Sequence, residues 1–177
     1  MYELICIGAS WGGLDAVGRL LADLPEAVDV PLVLAQHRHK ASPAVGLAEL
    51  LHLRIKRPVL DAEDKMVIER GSFALSVDER VQYARPSIDV LFESAAYAYG
   101  PGVIGIILTG ANEDGAAGLA AVKKRGGVAL VQDPREAERR TMPDAAIAAT
   151  AADAVLPLEE IGSFLYGLCV PTPEAAR

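Results

Sequence analysis

Cysteine, histidine, aromatic side chains and positive charge are all scarce in this sequence. Its 177 residues include two cysteines, three histidines and 5% aromatics. Cys6 lies inside an apolar run and Cys169 near the C-terminus. That excludes a disulfide-built scaffold and fits a reducing cytosol. Lys plus Arg number 17 against 24 Asp plus Glu, a net charge of -7. The densest basic run, Lys123-Lys124-Arg125, reads as the solvated last turn of a helix and not as a nucleic-acid patch. No uncharged apolar stretch is long enough to span a bilayer, and no basic start leads into one. Neither a membrane span nor a signal peptide is expected. No repeat or linker divides the chain, which suits one domain, 1–177, with a sizeable core.

What the sequence does have is apolar runs of strand length. ELICIGA (3–9), VPLVLAQ (30–36), VIGIILTG (103–110), VALVQ (128–132) and AVLPL (154–158) read as strands, with a shorter one at 56–60. Helix-period stretches alternate with them. One covers 14–24 and is closed by Pro25; another covers 43–51, with Ser42 as cap and Pro43 in the first turn. A third, SIDVLFESAAYAYG, starts at Ser87 and stops at Gly100-Pro101. The stretch 114–125 is helical and ends at Gly126-Gly127, 133–141 is a polar loop, and MPDAAIAATAA and LEEIGSFLYGL are the last helices. SFALSV and RVQYA form an antiparallel hairpin around Asp78-Glu79. Continuous apolar strands alternating with helices predict an α/β fold. Its sheet is doubly wound, mostly parallel and sandwiched by helices, with that short hairpin added.

In such a fold reactive groups collect at the C-terminal strand ends. The first strand ends in Ser10 and the second in Gln36-His37. Thr109-Gly110, followed by Glu113-Asp114, ends the strand from 103, and Gln132-Asp133 ends the next. A hydroxyl, an imidazole and a carboxylate are the groups that nucleophilic acyl transfer requires. Gly8-Ala9-Ser10-Trp11-Gly12 also fits G-x-S-x-G, a turn that lifts a serine beside a backbone oxyanion donor. Histidines occur only at 37, 39 and 52, so a triad here runs Ser…His…Asp. Blander roles compete. Ser10 could cap a helix or touch a phosphate, His37 could be solvated, and Asp114 could be an N-cap. His37-x-His39 lacks the partners a metal site needs, and His52 reads as structural.

Two other functions fit parts of the pattern. A strand–glycine turn–helix opening suits a dinucleotide fold, and His37-Arg38-His39-Lys40 could meet a 2′-phosphate. That reading is an NADP-dependent Rossmann-type oxidoreductase. A non-enzymatic interaction domain is the third reading, and it leaves the converging groups unexplained.

Six segments, in order, favour the first of these. IGASWGGLDAV, LAQH, ARPSIDVLFESAA, GIILTGANEDGAAGL, VQDP and MPDAAIAATAADAVLPLEEI resemble the catalytic domain of CheB-type chemotaxis protein-glutamate methylesterases over nearly the whole chain. The resemblance implies a cytoplasmic hydrolase of γ-glutamyl methyl esters on methyl-accepting chemoreceptors or similar signalling proteins. It releases methanol, and glutamine deamidation accompanies it in many members. It implies Ser10 as nucleophile, His37 as base and Asp114, not Asp133, as acid. Oxyanion donors fall on the backbone at Trp11 and Ala111. No metal, organic cofactor, nucleic acid or membrane insertion is implied. A CheB-like domain that is catalytically weak and only docks is the variant reading.

The chain departs from the family pattern in several places. The sequence opens directly on the first strand, so no receiver domain is expected to control it, and 71–85 is short for the family's hairpin. Trp11 replaces a small residue after the nucleophile, where its ring is expected to narrow the mouth or meet a receptor helix. Asp144 stands where Met-Pro is usually followed by Arg, and Glu113 adds negative charge beside Asp114. Two readings stand side by side: repulsion of an acidic substrate helix at low salt, or two solvated acids without consequence.

Overall fold

The computed structural model describes residues 1–37, 51, 65–69, 72–76 and 87–171. Five of the apolar runs pair side by side as β1 (Leu4–Ala9), β2 (Leu32–Gln36), β5 (Val103–Ile107), β6 (Val128–Gln132) and β7 (Ala154–Leu156). Their order is β2-β1-β5-β6-β7 and every pairing is parallel. Successive side chains of a strand point to opposite faces, so runs without polar residues need cover on both. Leu4 and Cys6 enter one core layer, and Ile5, Ile7 and Ala9 the other. The first layer packs under α2 (Ile88–Tyr99), α3 (Ala116–Lys124) and α4 (Thr141–Ala149). The second packs under α1 (Gly13–Asp23) and α5 (Leu158–Cys169). This is the doubly wound sandwich expected.

Local chemistry sets the helix ends. Leu24 turns extended at ψ 118 ahead of Pro25, because a residue preceding proline avoids the helical region. Ser87 caps α2 by accepting from the Val90 N–H at 3.4 Å. The start of α3 lies two residues later than the sequence suggested. Gly115 takes a left-handed φ of 99, and Asp114 turns away to serve another helix.

A hairpin is present, but its described partner differs from the expected one. β4 (Ser72–Ser76) pairs with β3 (Lys65–Glu69), which precedes it, in antiparallel register from Lys65 opposite Ser76 to Glu69 opposite Ser72. The expected turn at Asp78-Glu79, the RVQYA strand and the strand at 56–60 lie outside the described residues. So do His39, His52 and all of the 43–51 helix except Leu51. Leu51 is helical and buried in the α1–α5 layer.

The α2–α3 crossing is tighter than side chains allow. A Cβ on Gly118 would lie 2.7 Å from the Phe92 Cβ and 2.9 Å from the Asp89 backbone. Gly118→Val is therefore expected to cost about 1–3 kcal/mol of stability through overpacking. The midpoint of urea denaturation measures this, and an unchanged midpoint would refute so close a crossing.

Candidate active site

Chain connections leave β1 and β5 in opposite directions, β1 toward β2 and β5 toward β6. Adjacent strands with diverging connections open a crevice at their carboxyl ends. Ser10 follows β1 directly. Its N–H donates to the Thr109 carbonyl at 3.0 Å, and its carbonyl accepts from the Gly13 N–H at 2.9 Å. Gly12, at φ 76, makes the turn into α1 that a side chain would strain. His37 follows β2, and its N–H donates to the Ala9 carbonyl at 3.0 Å. One buried amide ties these two strand ends together. Gln36 Nε2 donates to the Ser10 carbonyl at 2.7 Å and to the His37 carbonyl at 2.9 Å.

Asp114 completes the group from the loop after β5. Its Oδ2 lies 2.8 Å from His37 Nε2. Its side chain is 2% exposed, so its charge needs donors. The Ile88 and Asp89 N–H groups at the start of α2 donate to it at 2.8 and 3.0 Å, and the Ser87 hydroxyl at 3.3 Å. Burial raises the Asp114 carboxyl. The hydrogen bonds from His37, Asp89 and Ile88 outweigh this and hold it below the ordinary carboxylate range. Asp89 does the converse service for α3, accepting from the Gly115 and Gly118 N–H groups at 2.9 and 2.7 Å. Burial pushes the Asp89 carboxyl up. The charges of Asp114 and Glu93 add to that, and the two glycine N–H groups oppose it.

The hydrogen-bond pattern also assigns the imidazole tautomer. Asn112 Oδ1 accepts from the Asp114 N–H at 3.2 Å, which leaves its Nδ2 facing His37 Nδ1 at 3.0 Å. An amide nitrogen only donates, so Nδ1 is the acceptor and Nε2 carries the proton shared with Asp114. The basic lone pair is therefore on Nδ1. Among the described residues the Ser10 hydroxyl makes no hydrogen bond to His37. Neither the Trp11 nor the Ala111 backbone N–H has a hydrogen-bond partner among them.

Other sequence candidates fall elsewhere. Asp133 ends β6, where the Arg135 side chain and N–H bind its carboxylate and lower it, away from His37. Asp144 is paired with Arg140 one helical turn earlier, at 2.6 Å. Trp11 is 56% exposed. Its Nε1–H donates to Glu138 at 2.9 Å, and the Arg139 guanidinium stands over its ring at 5.2 Å. Gln36, Asp89 and Asn112 were not singled out from the sequence. Gln36 adjoins His37 in LAQH and was within reach, whereas the contacts of the other two are non-local. Among the described residues no three His, Cys, Asp or Glu side chains converge as metal ligands would, and no helix is long and apolar enough to cross a membrane.

Comparison with known proteins places the chain in a family. The family model of CheB methylesterase matches residues 5–165. The chain belongs to the CheB methylesterase family. Its members are carboxylic ester hydrolases of chemotaxis. A Leptospira interrogans relative, an inferred protein-glutamate methylesterase/protein-glutamine glutaminase, is 42% identical over 94% of this chain and 95% of its own. The Myxococcus xanthus protein-glutamate methylesterase FrzG is 34% identical over 93% of this chain and 54% of its own. The crystal structure of the Thermotoga maritima CheB methylesterase catalytic domain superimposes with a TM-score of 0.86. It is 27% identical, and the match covers 95% of this chain and 99% of that one.

The opposite pressures on the two buried aspartates give a pH signature. A carboxyl raised in the fold loses stability on ionising. That cost is absent below about pH 4 and complete once the pH passes the raised value. Asp89→Asn keeps an Oδ1 acceptor for Gly115 and Gly118 but never ionises. Its stability relative to the parent is expected to increase from about pH 3.5 to about pH 7. Urea denaturation across that range checks this, and a gap independent of pH would refute it.

Proposed function

We propose that this protein is a protein-glutamate methylesterase, hydrolysing γ-glutamyl methyl esters on chemoreceptor-type signalling proteins in the cytoplasm through Ser10, His37 and Asp114. Residues 1–177 act as one catalytic domain in this reading. The observation that carries it is the His37–Asp114 contact at 2.8 Å, which leaves the basic lone pair of the imidazole on Nδ1. Ser10 Oγ attacks the ester carbonyl as its proton passes to His37 Nδ1. Asp114, kept ionised by the start of α2, stabilises the imidazolium through Nε2–H. The Trp11 and Ala111 N–H groups receive the oxyanion. The proton on Nδ1 then leaves with the methoxy oxygen as methanol. Water, deprotonated by the same nitrogen, cleaves the acyl-enzyme to the free carboxylate. A glutamine side chain in the same place would lose ammonia instead.

The NADP reading loses its anion site. A pyrophosphate would need the start of α1. The Glu138 carboxylate already stands there, 2.5 Å from where a Gly12 Cβ would lie. One observation favours the docking-domain reading: Asn112, and not Ser10, faces Nδ1.

Methanol release from methylated receptor, with Ser10→Ala alongside, separates the two. The parent is expected to release methanol, and Ser10→Ala to lose several orders of magnitude in kcat while keeping its fold. Release by Ser10→Ala at the parent rate would refute the nucleophile. Absence of release from both, together with receptor binding, would establish docking.

A further inference from the structure

Both nitrogens of His37 are engaged. Nε2–H serves Asp114, and the Nδ1 lone pair accepts from Asn112 Nδ2 at 3.0 Å. A ring nitrogen offers a single in-plane lone pair. If Ser10 is the nucleophile, its hydroxyl must use that same lone pair to lose its proton. The amide and the hydroxyl therefore compete for one site. Rotating the amide gives no escape, because Asn112 Oδ1 is held by the Asp114 N–H at 3.2 Å. The reversed amide would set donor against donor. Asn112 is also exposed, so its side chain can leave without opening the packed layers.

We propose that Asn112 is a positioning residue that holds the base lone pair of His37 in the free enzyme and yields it to Ser10 when substrate docks. This rests on the Ser10–His37–Asp114 reading. The consequence is a nucleophile that is unactivated until a substrate helix fills the crevice, which limits stray acylation of Ser10. Asn112 acts only through His37 and touches no reacting atom.

The test separates this role from a structural one. A small fluorophosphonate reports Ser10 reactivity without receptor docking. Ser10 Oγ forms the bond to phosphorus, fluoride leaves, and the hydroxyl proton passes to His37 Nδ1. Asn112→Ala removes the competing donor and is expected to label roughly 2- to 12-fold faster than the parent, the range spanned by one net hydrogen bond. Asn112→Ser, with a shorter side chain, is expected to lie between them.

Asn112→Asp places an acceptor where a donor was and draws a proton onto Nδ1. Among the described residues, the charged groups in the loop after β5 and at the start of α2 are Asp114, Glu113 and Asp89, and all three are common to parent and variant. Labelling of Asn112→Asp is therefore expected to be slow near neutral pH and to recover as the pH rises. A purely structural role would not move this acid limb.

Labelling of Asn112→Ala at or below the parent rate, with Ser10→Ala unlabelled and parental methanol release intact, would overturn this proposal alone. A parent that neither labels nor releases methanol would overturn the triad reading and this proposal with it.

Discussion

Two buried aspartates exchange places between two helices, and the geometry of the site depends on that exchange. The first turn of any helix leaves N–H groups without partners. The starts of α2 and α3 are both buried over the sheet, so those groups need acceptors from the protein. Asp114 precedes α3 yet accepts from Ile88 and Asp89, while Asp89 belongs to α2 yet accepts from Gly115 and Gly118. Each helix supplies the other's cap. Both oxygens of Asp114 accept backbone N–H groups, and Oδ2 is shared between the Ile88 N–H and His37 Nε2. The partial positive charge of a helix start favours the ionised form. Its position and its charge therefore come from the same contacts.

That exchange requires very close approach, and small residues permit it. A Cβ on Gly8 would lie 2.4 Å from Ile88 Cγ2, so the start of α2 sits directly over the last residues of β1. The crevice between β1 and β5 is bounded on one side by this helix end. On the other side the Gln36 amide fixes the end of β2 against the residue after β1. Three strand ends thus deliver Ser10, His37 and Asp114 to one edge of the sheet. The polar partners are mostly backbone groups, whose positions follow from strand register and helix starts.

This explains what was legible in the sequence. The apolar runs revealed the strands because both faces of a parallel sheet are buried. Ser10, His37 and Asp114 stood out because a doubly wound sheet makes strand ends reactive, and because their types fit acyl transfer. The Asp89–Asp114 exchange was not legible, since it joins residues 25 and 26 positions apart through backbone donors that no side-chain pattern records. Asp114 was consequently read as a possible cap of its own helix. The β3 partner of SFALS went unread for a different reason. SFALS is flanked on both sides by segments able to pair with it, and period-2 alternation does not name the partner. Asn112 escaped notice because the direction of its amide depends on the Asp114 N–H, a detail of the loop's turn.

The departures from the family pattern are connected to one another. Asp144 reverses an expected charge, but Arg140 lies four residues before it and binds its carboxylate, so the reversal is quenched within one turn of α4. Trp11 is large and exposed, yet it is fastened from the loop after β6 by Glu138 and Arg139. The same loop is tied down by Thr109, whose Oγ1 accepts from the Arg139 N–H at 2.8 Å and donates to the Trp11 carbonyl at 3.0 Å. The residue after Ser10, the end of β5 and the loop after β6 are thus tied together by these contacts. Fastening the ring brings a carboxylate to the start of α1, where a glycine-rich turn would otherwise attract a phosphate. The glycines at 12 and 13 then serve geometry alone. One takes the left-handed turn, and the other admits the Gln36 amide at 2.3 Å from where a Cβ would lie. A turn that reads as a phosphate loop is, in this chain, a mount for a serine.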